Sequence, residues 1–193
     1  MARKAWTDYR KVMSNLTPLV LVAPFPALAW YLDQLQKKSF ALAVWGACPI
    51  ILWIGINFFG LFQNRAVRKE LSSKLPNDST GRAVLVGFSR PNRTQLIHHH
   101  EDVGWLLMNP DSIEFIGDTH RYKMMKTEIR SVKTKWNINT ILGLGRWVCI
   151  DGIVDSKRIR MLLESREKST LFANFGYTKQ LCRRIAEWKK VNS

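Results

Sequence analysis

The densest group of side chains able to do chemistry is the run His98-His99-His100, followed at once by Glu101 and Asp102. On an extended chain alternate residues share a face, so His98 and His100 would point the same way, as two ligands of a zinc ion do. A third ligand would have to come from His120, Glu101, Asp102 or a distant cysteine. A partly solvated loop of histidines is the commoner situation, so no metal is expected. Imidazole titrates near neutrality, which makes a pH-responsive contact physically open to this run, but nothing else in the sequence calls for one.

The other reactive side chains do not assemble into machinery. The serines, cysteines and histidines form no nucleophile motif, and the acidic residues are dispersed. Gly143-Leu144-Gly145 is neither a phosphate loop nor a dinucleotide fingerprint. A non-enzymatic protein with no cofactor is the expectation. Cys48, Cys149 and Cys182 are an odd, scattered set, which suits a reducing compartment better than a disulfide framework.

What must position any site begins with two long uncharged stretches, residues 12–32 and 39–64. Crossing the hydrocarbon core of a bilayer takes about 20 apolar residues in a helix, and both stretches suffice. A transmembrane hairpin over 1–64 is expected, with spans at about 16–32 and 39–62. A cleaved signal peptide competes poorly, because the first stretch is too long, no small-x-small site follows Leu32, and a second span comes at once. Pro18 is expected near a helix start, with Asn15 or Thr17 as cap, whereas Pro24 and Pro26 predict a mid-span kink or break. Gly46, Gly55 and Gly60 are expected to pack the hairpin against itself, and Asn57 is its main polar interruption.

Basic residues set the orientation. Arg3, Lys4, Arg10 and Lys11 precede the first span, and Arg65, Arg68, Lys69 and Lys74 follow the second, against only Lys37 and Lys38 in the connecting loop. The positive-inside rule then puts both termini in the cytoplasm of a cell inner (plasma) membrane. The net charge of +15 also favours an anionic leaflet as neighbour, where each Lys or Arg gains on the order of 1 kcal/mol. No zinc finger, helix-turn-helix or RNA-binding aromatic motif accompanies that charge, so nucleic acid is not an expected partner.

Residues 65–81 read as a helical extension and a linker, and 82–193 as one further domain. Short strand-like runs recur at 83–88, 103–108, 112–116, 120–125, 129–136, 147–153 and 158–164, with turn signals between them. Residues 169–173 read as one more short strand, and 138–144 is ambiguous. From Tyr177 onward Leu181, Ile185 and Trp188 fall on one helical stripe, with Thr178 as cap. Trp136, Trp147 and Trp188 are expected in the core or at its ends. The fold class is thus α+β: a two-helix membrane hairpin, then a β-barrel or bent antiparallel sheet of about seven strands, capped by a C-terminal amphipathic helix.

The stretch NPDSIEFIGDTHRYKMMKTEIRSVKTKW (residues 109–136), followed by a single terminal helix bearing Trp188, resembles a pleckstrin-homology-like or GRAM-like domain. Small bacterial proteins that join such a domain to a two-helix hairpin form families of loosely defined role. The resemblance directs attention to the loop between the first two strands, which offers Arg90 and Arg93, and to Arg121 and Lys123 two strands on, as a lipid- or phosphate-binding set. It departs from the phosphoinositide-binding members in its second strand, which reads VGWLLM and lacks their basic cluster. The resemblance implies a membrane-proximal scaffold or accessory subunit that binds a protein partner or a second copy of itself. The alternative is a module that senses anionic lipid.

Overall fold

The computed structural model describes residues 4–75, 83–91 and 100–191. The expected Arg93 and His98 therefore lie outside the described residues, as does Arg3. The chain divides into two compact units, one of residues 7–62 and one combining 1–6 with 63–193.

In the first unit, α1 (Asp8–Val22) and α2 (Pro24–Gln34) are separated only by Ala23, and α3 (Lys38–Phe59) returns antiparallel in the sequence-adjacent hairpin. The break before Pro24 is the expected interruption: proline at a first helical position needs no donor, so a new helix starts there. The start of α1 differs from expectation. Thr7 is the cap, its side chain accepting from the Arg10 amide at 3.3 Å, which leaves Pro18 in the helix interior. Asn15 and Thr17 bond back to the carbonyls of Lys11 and Met13 instead of capping. Gly55 does bring α3 close to α1, since a Cβ there would meet Pro18 at 3.4 Å, whereas one at Gly46 would meet nothing. The small or polar residues Ser14, Ala41, Cys48, Gly55 and Asn57 are buried, while Leu19, Val20, Phe40, Leu42 and Ile50 face outward. By length and composition both helical stretches are able to cross a membrane.

The second unit is built on a seven-stranded antiparallel sheet: β1 (Ala83–Ser89), β2 (Asp102–Met108), β3 (Ser112–Gly117), β4 (Arg121–Met125), β5 (Ile129–Lys135), β6 (Trp147–Val154) and β7 (Lys157–Ser165). Their order is β4-β3-β2-β1-β7-β6-β5, with β4 and β5 as the edges among the described residues, so the sheet is open and not a closed barrel. Two short helices, α4 (Asn64–Ser72) and α5 (Ile138–Ile141), and the long α6 (Leu171–Lys190) complete it.

Both faces of the sheet centre are covered, which is why β1 and β2 read as continuous apolar runs without alternation. On one face Leu181 and Ile185 of α6 join Val86, Phe88, Leu106, Phe115, Ile150 and Leu163 in the main core. On the other, Val67 and Leu71 of α4, with Ala5 and Trp6, cover Leu85, Val103 and Trp105. Within this unit α4 packs as an amphipathic helix, and its cap residue Gln63 has a φ of +52°. Three further expectations fail for local reasons. Residues 169–173 are no strand, because Thr170 accepts from the Ala173 amide and starts α6 six residues ahead of Tyr177. Thr178, mid-helix and fully buried, accepts from the Ser165 amide at 3.0 Å. Trp136 is 71% exposed rather than in the core, whereas Trp147 is buried and Trp188 donates its indole N–H to the Asn109 carbonyl at 2.8 Å.

Candidate binding cavity and buried polar cluster

Strands β1, β4 and β7 bring together a cavity of about 410 Å³. Its apolar lining is Phe88, Tyr122, Ile159 and Met161, with Pro91 beside them, and its polar lining is Arg90, Arg158 and Arg160. Phe88 stacks on Tyr122 with ring centroids 4.9 Å apart and on Phe115 at 4.8 Å, so the aromatic wall is continuous with the core. The arginines are held by carboxylates at their backs. Arg90 Nε donates to Glu101 at 2.9 Å, and Arg158 and Arg160 both pair with Asp151. Burial works to raise the Asp151 carboxyl, but the hydrogen bond and charge of Arg160, helped by Arg158, outweigh it and hold the group below the usual carboxylate range. Three guanidinium groups thus meet two carboxylates, and the rim keeps a positive excess with planar donors suited to an anionic oxygen.

Of the expected binding set, only Arg90 among the described residues lines this cavity. Arg121 pairs with Glu114 at 2.8 Å on the exposed side of β4, and Lys123 sits in register with the same Glu114. The sheet supplies Arg158 and Arg160 in their place. Their alternation in Lys157-Arg158-Ile159-Arg160-Met161 was legible as a basic strand face, but no periodicity tells which other strand that face meets.

His100 is committed elsewhere. Its ring fits only because residue 87 is glycine, where a Cβ would lie 2.0 Å from His100 Cδ2. His100 Nδ1 lies 3.3 Å from Arg166 Nη1, and Nε2 lies 3.3 Å from Glu164 Oε2, all three residues being buried. A guanidinium has no lone pair to offer, so Nδ1 accepts and the ring proton sits on Nε2, towards Glu164. Burial, reinforced by the Arg166 charge, pushes the imidazole well below its ordinary value and keeps it neutral. Burial likewise lowers Arg166 to about 10, against the pull of Glu164. Arg166 Nε donates to Asn64 Oδ1 at 2.9 Å, and the guanidinium stacks 4.5 Å from the Trp6 ring.

The remaining partners of the cluster tie three segments to the sheet. Trp6 donates its amide to Asp118 at 2.9 Å and its indole N–H to the His100 carbonyl at 3.2 Å. Asp118 also receives Lys74 at 2.7 Å; burial opposes ionisation there, but Lys74 and the amides of Trp6 and Ala5 win and keep its carboxyl low. Asp102 accepts the amides of Asp118, Thr119 and His120, which closes the β3–β4 turn. With a cation beside His100, this is a structural cluster; among the described residues no three His, Cys, Asp or Glu side chains converge as a metal site would require.

The basic residues expected to flank the spans have mixed fates. Lys4, Arg65 and Lys69 are exposed, Arg10 is half-buried, and Lys11 pairs with Asp8 at 3.2 Å. Arg68 is drawn into the sheet unit, 2.9 Å from Glu167 and 5.5 Å above the Trp105 ring.

Fold and cavity together define a class: an α+β chain that joins a pair of apolar helices to an open seven-stranded sheet carrying an arginine-rimmed, aromatic-walled cavity. Compared with known families and with curated proteins, the chain matches no family model and no relative.

Proposed function

We propose that this chain is a non-enzymatic integral membrane protein of a bacterial inner membrane, a scaffold or accessory subunit that binds a protein partner at the cavity between β1, β4 and β7. In this reading α1 to α3 form a two-span hairpin with both termini cytoplasmic, and the sheet with α6 is a pleckstrin-homology-like domain. Support for the membrane reading comes from the outward apolar surface of the hairpin and the basic residues at its ends. Support for the domain class comes from seven antiparallel strands closed by one C-terminal helix.

The observation that carries the binding reading is the cavity itself: an aromatic and aliphatic wall beneath a rim of three arginines. That combination suits a peptide segment whose apolar side chain enters the pocket beside a carboxylate, because the anchor is desolvated while its charge finds paired donors. Anionic lipid is the second reading, favoured by the same guanidinium rim, since phosphate oxygens satisfy the same forks.

A photo-crosslinking residue in place of Tyr122, in the full-length protein in native membranes, separates the two. A discrete protein adduct that disappears in the Arg158→Glu/Arg160→Glu background is the expected result. A lipid adduct with the same dependence would transfer the assignment to lipid sensing, and absence of any adduct would remove the cavity as a binding site.

A further inference from the structure

The loop from β5 to β6 carries large apolar side chains on its outside. Trp136 is 71% exposed, Ile141 78% and Leu142 47%, and Phe172, from the first turn of α6, is 58% exposed. Phe172 belongs to the same patch, since its ring lies 4.0 Å from where a Cβ on Gly143 would stand. In a water-facing unit such a patch marks a contact surface.

The loop is built to hold this display. Asn137 Oδ1 accepts the Thr140 amide at 2.9 Å, and Thr140 Oγ1 accepts the Asn137 amide at 2.8 Å and donates to the Gly145 carbonyl at 2.7 Å. Gly143, at φ +68°, takes a left-handed turn that a side chain would strain, and its amide bonds the Thr140 carbonyl at 3.1 Å. Leu144 is fully buried and pins the base. The side chains of Asn137 and Thr140 are thus spent on bracing the loop, while Trp136, Ile141 and Leu142 are exposed.

Charge decides between occupants. No acidic residue occurs between Glu128 and Asp151, or between Glu167 and Glu187, the two stretches that form the patch and its flanks. Lys133 and Lys135 lead directly into Trp136 and are exposed, and Lys168 precedes α6. Tryptophan and phenylalanine beside lysines, with no carboxylate among them, match the boundary of an anionic leaflet, where rings sit among headgroups and ammonium groups meet phosphate. An acidic protein surface would satisfy the lysines but offers no reason for four apolar side chains held on a braced tip.

We infer that the β5–β6 tip, through Trp136, Ile141, Leu142 and Phe172, inserts shallowly into the headgroup region of an anionic bilayer. This rests on the reading of α1 to α3 as a membrane hairpin, which keeps the sheet unit at a lipid surface.

The test uses the full-length protein reconstituted into vesicles of phosphatidylcholine with or without phosphatidylglycerol, each also prepared with a lipid-borne quencher. The native cysteines Cys48, Cys149 and Cys182 are buried, so an introduced cysteine takes an environment-sensitive fluorophore selectively. Ile141→Cys is the tip probe. Lys157→Cys, at the start of β7 beyond the β6–β7 turn, is the water-facing control, and Leu42→Cys reports on the hairpin. The expected result is a blue-shifted Ile141→Cys emission that loses most of its intensity to the quencher in phosphatidylglycerol vesicles, with Lys157→Cys unaffected. Lys133→Glu/Lys135→Glu should abolish that loss. An unquenched tip with a quenched Leu42→Cys overturns the inference and leaves the hairpin standing. If neither probe is quenched, both fall. A blue shift at the tip that no lipid quencher touches overturns it in favour of a protein occupant.

Discussion

The hairpin and the sheet unit solve opposite packing problems with the same twenty side chains. In the hairpin the interior holds Ser14, Gly55 and Asn57, and the exterior holds Leu42, Phe40 and Ile50. In the sheet unit the interior holds Phe88, Leu106 and Leu181, together with an ionic cluster of Arg166, Glu164 and His100. The contrast shows what each unit gains by association. Under the proposed membrane reading, apolar helices facing hydrocarbon obtain nothing from burying leucine, so small residues that allow close approach take the contact. A sheet with an apolar interior obtains most of its stability from that burial, and it can then carry a few buried charges provided each finds a partner.

The contrast can be broken at several points. The largest effect is expected at the ionic cluster: Arg166→Ala removes the buried cation that bonds Asn64 and His100 and whose charge offsets that of Glu164, and should lower the stability of the sheet unit by about 3–5 kcal/mol. Tryptophan fluorescence during urea unfolding in mild detergent would measure it, and a loss below 1 kcal/mol would mean the charges are solvated. Next, Leu181→Ala should cost about 2–5 kcal/mol, whereas Leu42→Ala in the hairpin should cost about 0.5 kcal/mol or less in the same assay, because one side chain is enclosed and the other is not. Equal losses would erase the distinction between the two units.

A pH dependence comes third. The folded imidazole of His100 resists protonation while the unfolded one titrates near 6.5. The unfolded state therefore binds the extra proton, so stability is complete above pH 6.5 and falls below it, by about 1.4 kcal/mol per pH unit. Thermal unfolding between pH 6.5 and 5, before carboxylates titrate, should show this slope, and His100→Gln should flatten it. The smallest effect concerns the helix caps. Thr7 and Thr170 make the same 3.3 Å bond to the third residue onward, so Thr170→Ala should cost about 1 kcal/mol by urea titration, and Thr7→Ala should shorten α1 by circular dichroism without unfolding the sheet.

Much of the fold was legible along the chain, and its failures share a cause. Strands such as 112–117 and 147–154 follow from turn residues and β-rich runs that act over a few positions. Thr170 and Thr178 look alike to any local rule, yet one caps α6 and the other is buried against Ser165, a choice made by packing. The candidate site was legible only at Arg90. Arg121 and Lys123 were nominated by resemblance, but Arg121 forms an ion pair with Glu114 and Lys123 lies opposite that same residue in the sheet register, while Arg158 and Arg160 reach the cavity because β7 lies beside β1.

By itself the sequence determined the two apolar stretches, the break at Pro24, seven of the strand-like runs and the amphipathic stripe of α6, since each depends on side chains within one or two turns of each other. Only the tertiary structure decided that α4 and Trp6 cover the second sheet face, that Arg166 meets His100 and that Trp136 stands in the open. Those outcomes depend on which distant segments share a surface, and in a sheet ordered β4-β3-β2-β1-β7-β6-β5 neighbours in space can be some eighty residues apart in the chain.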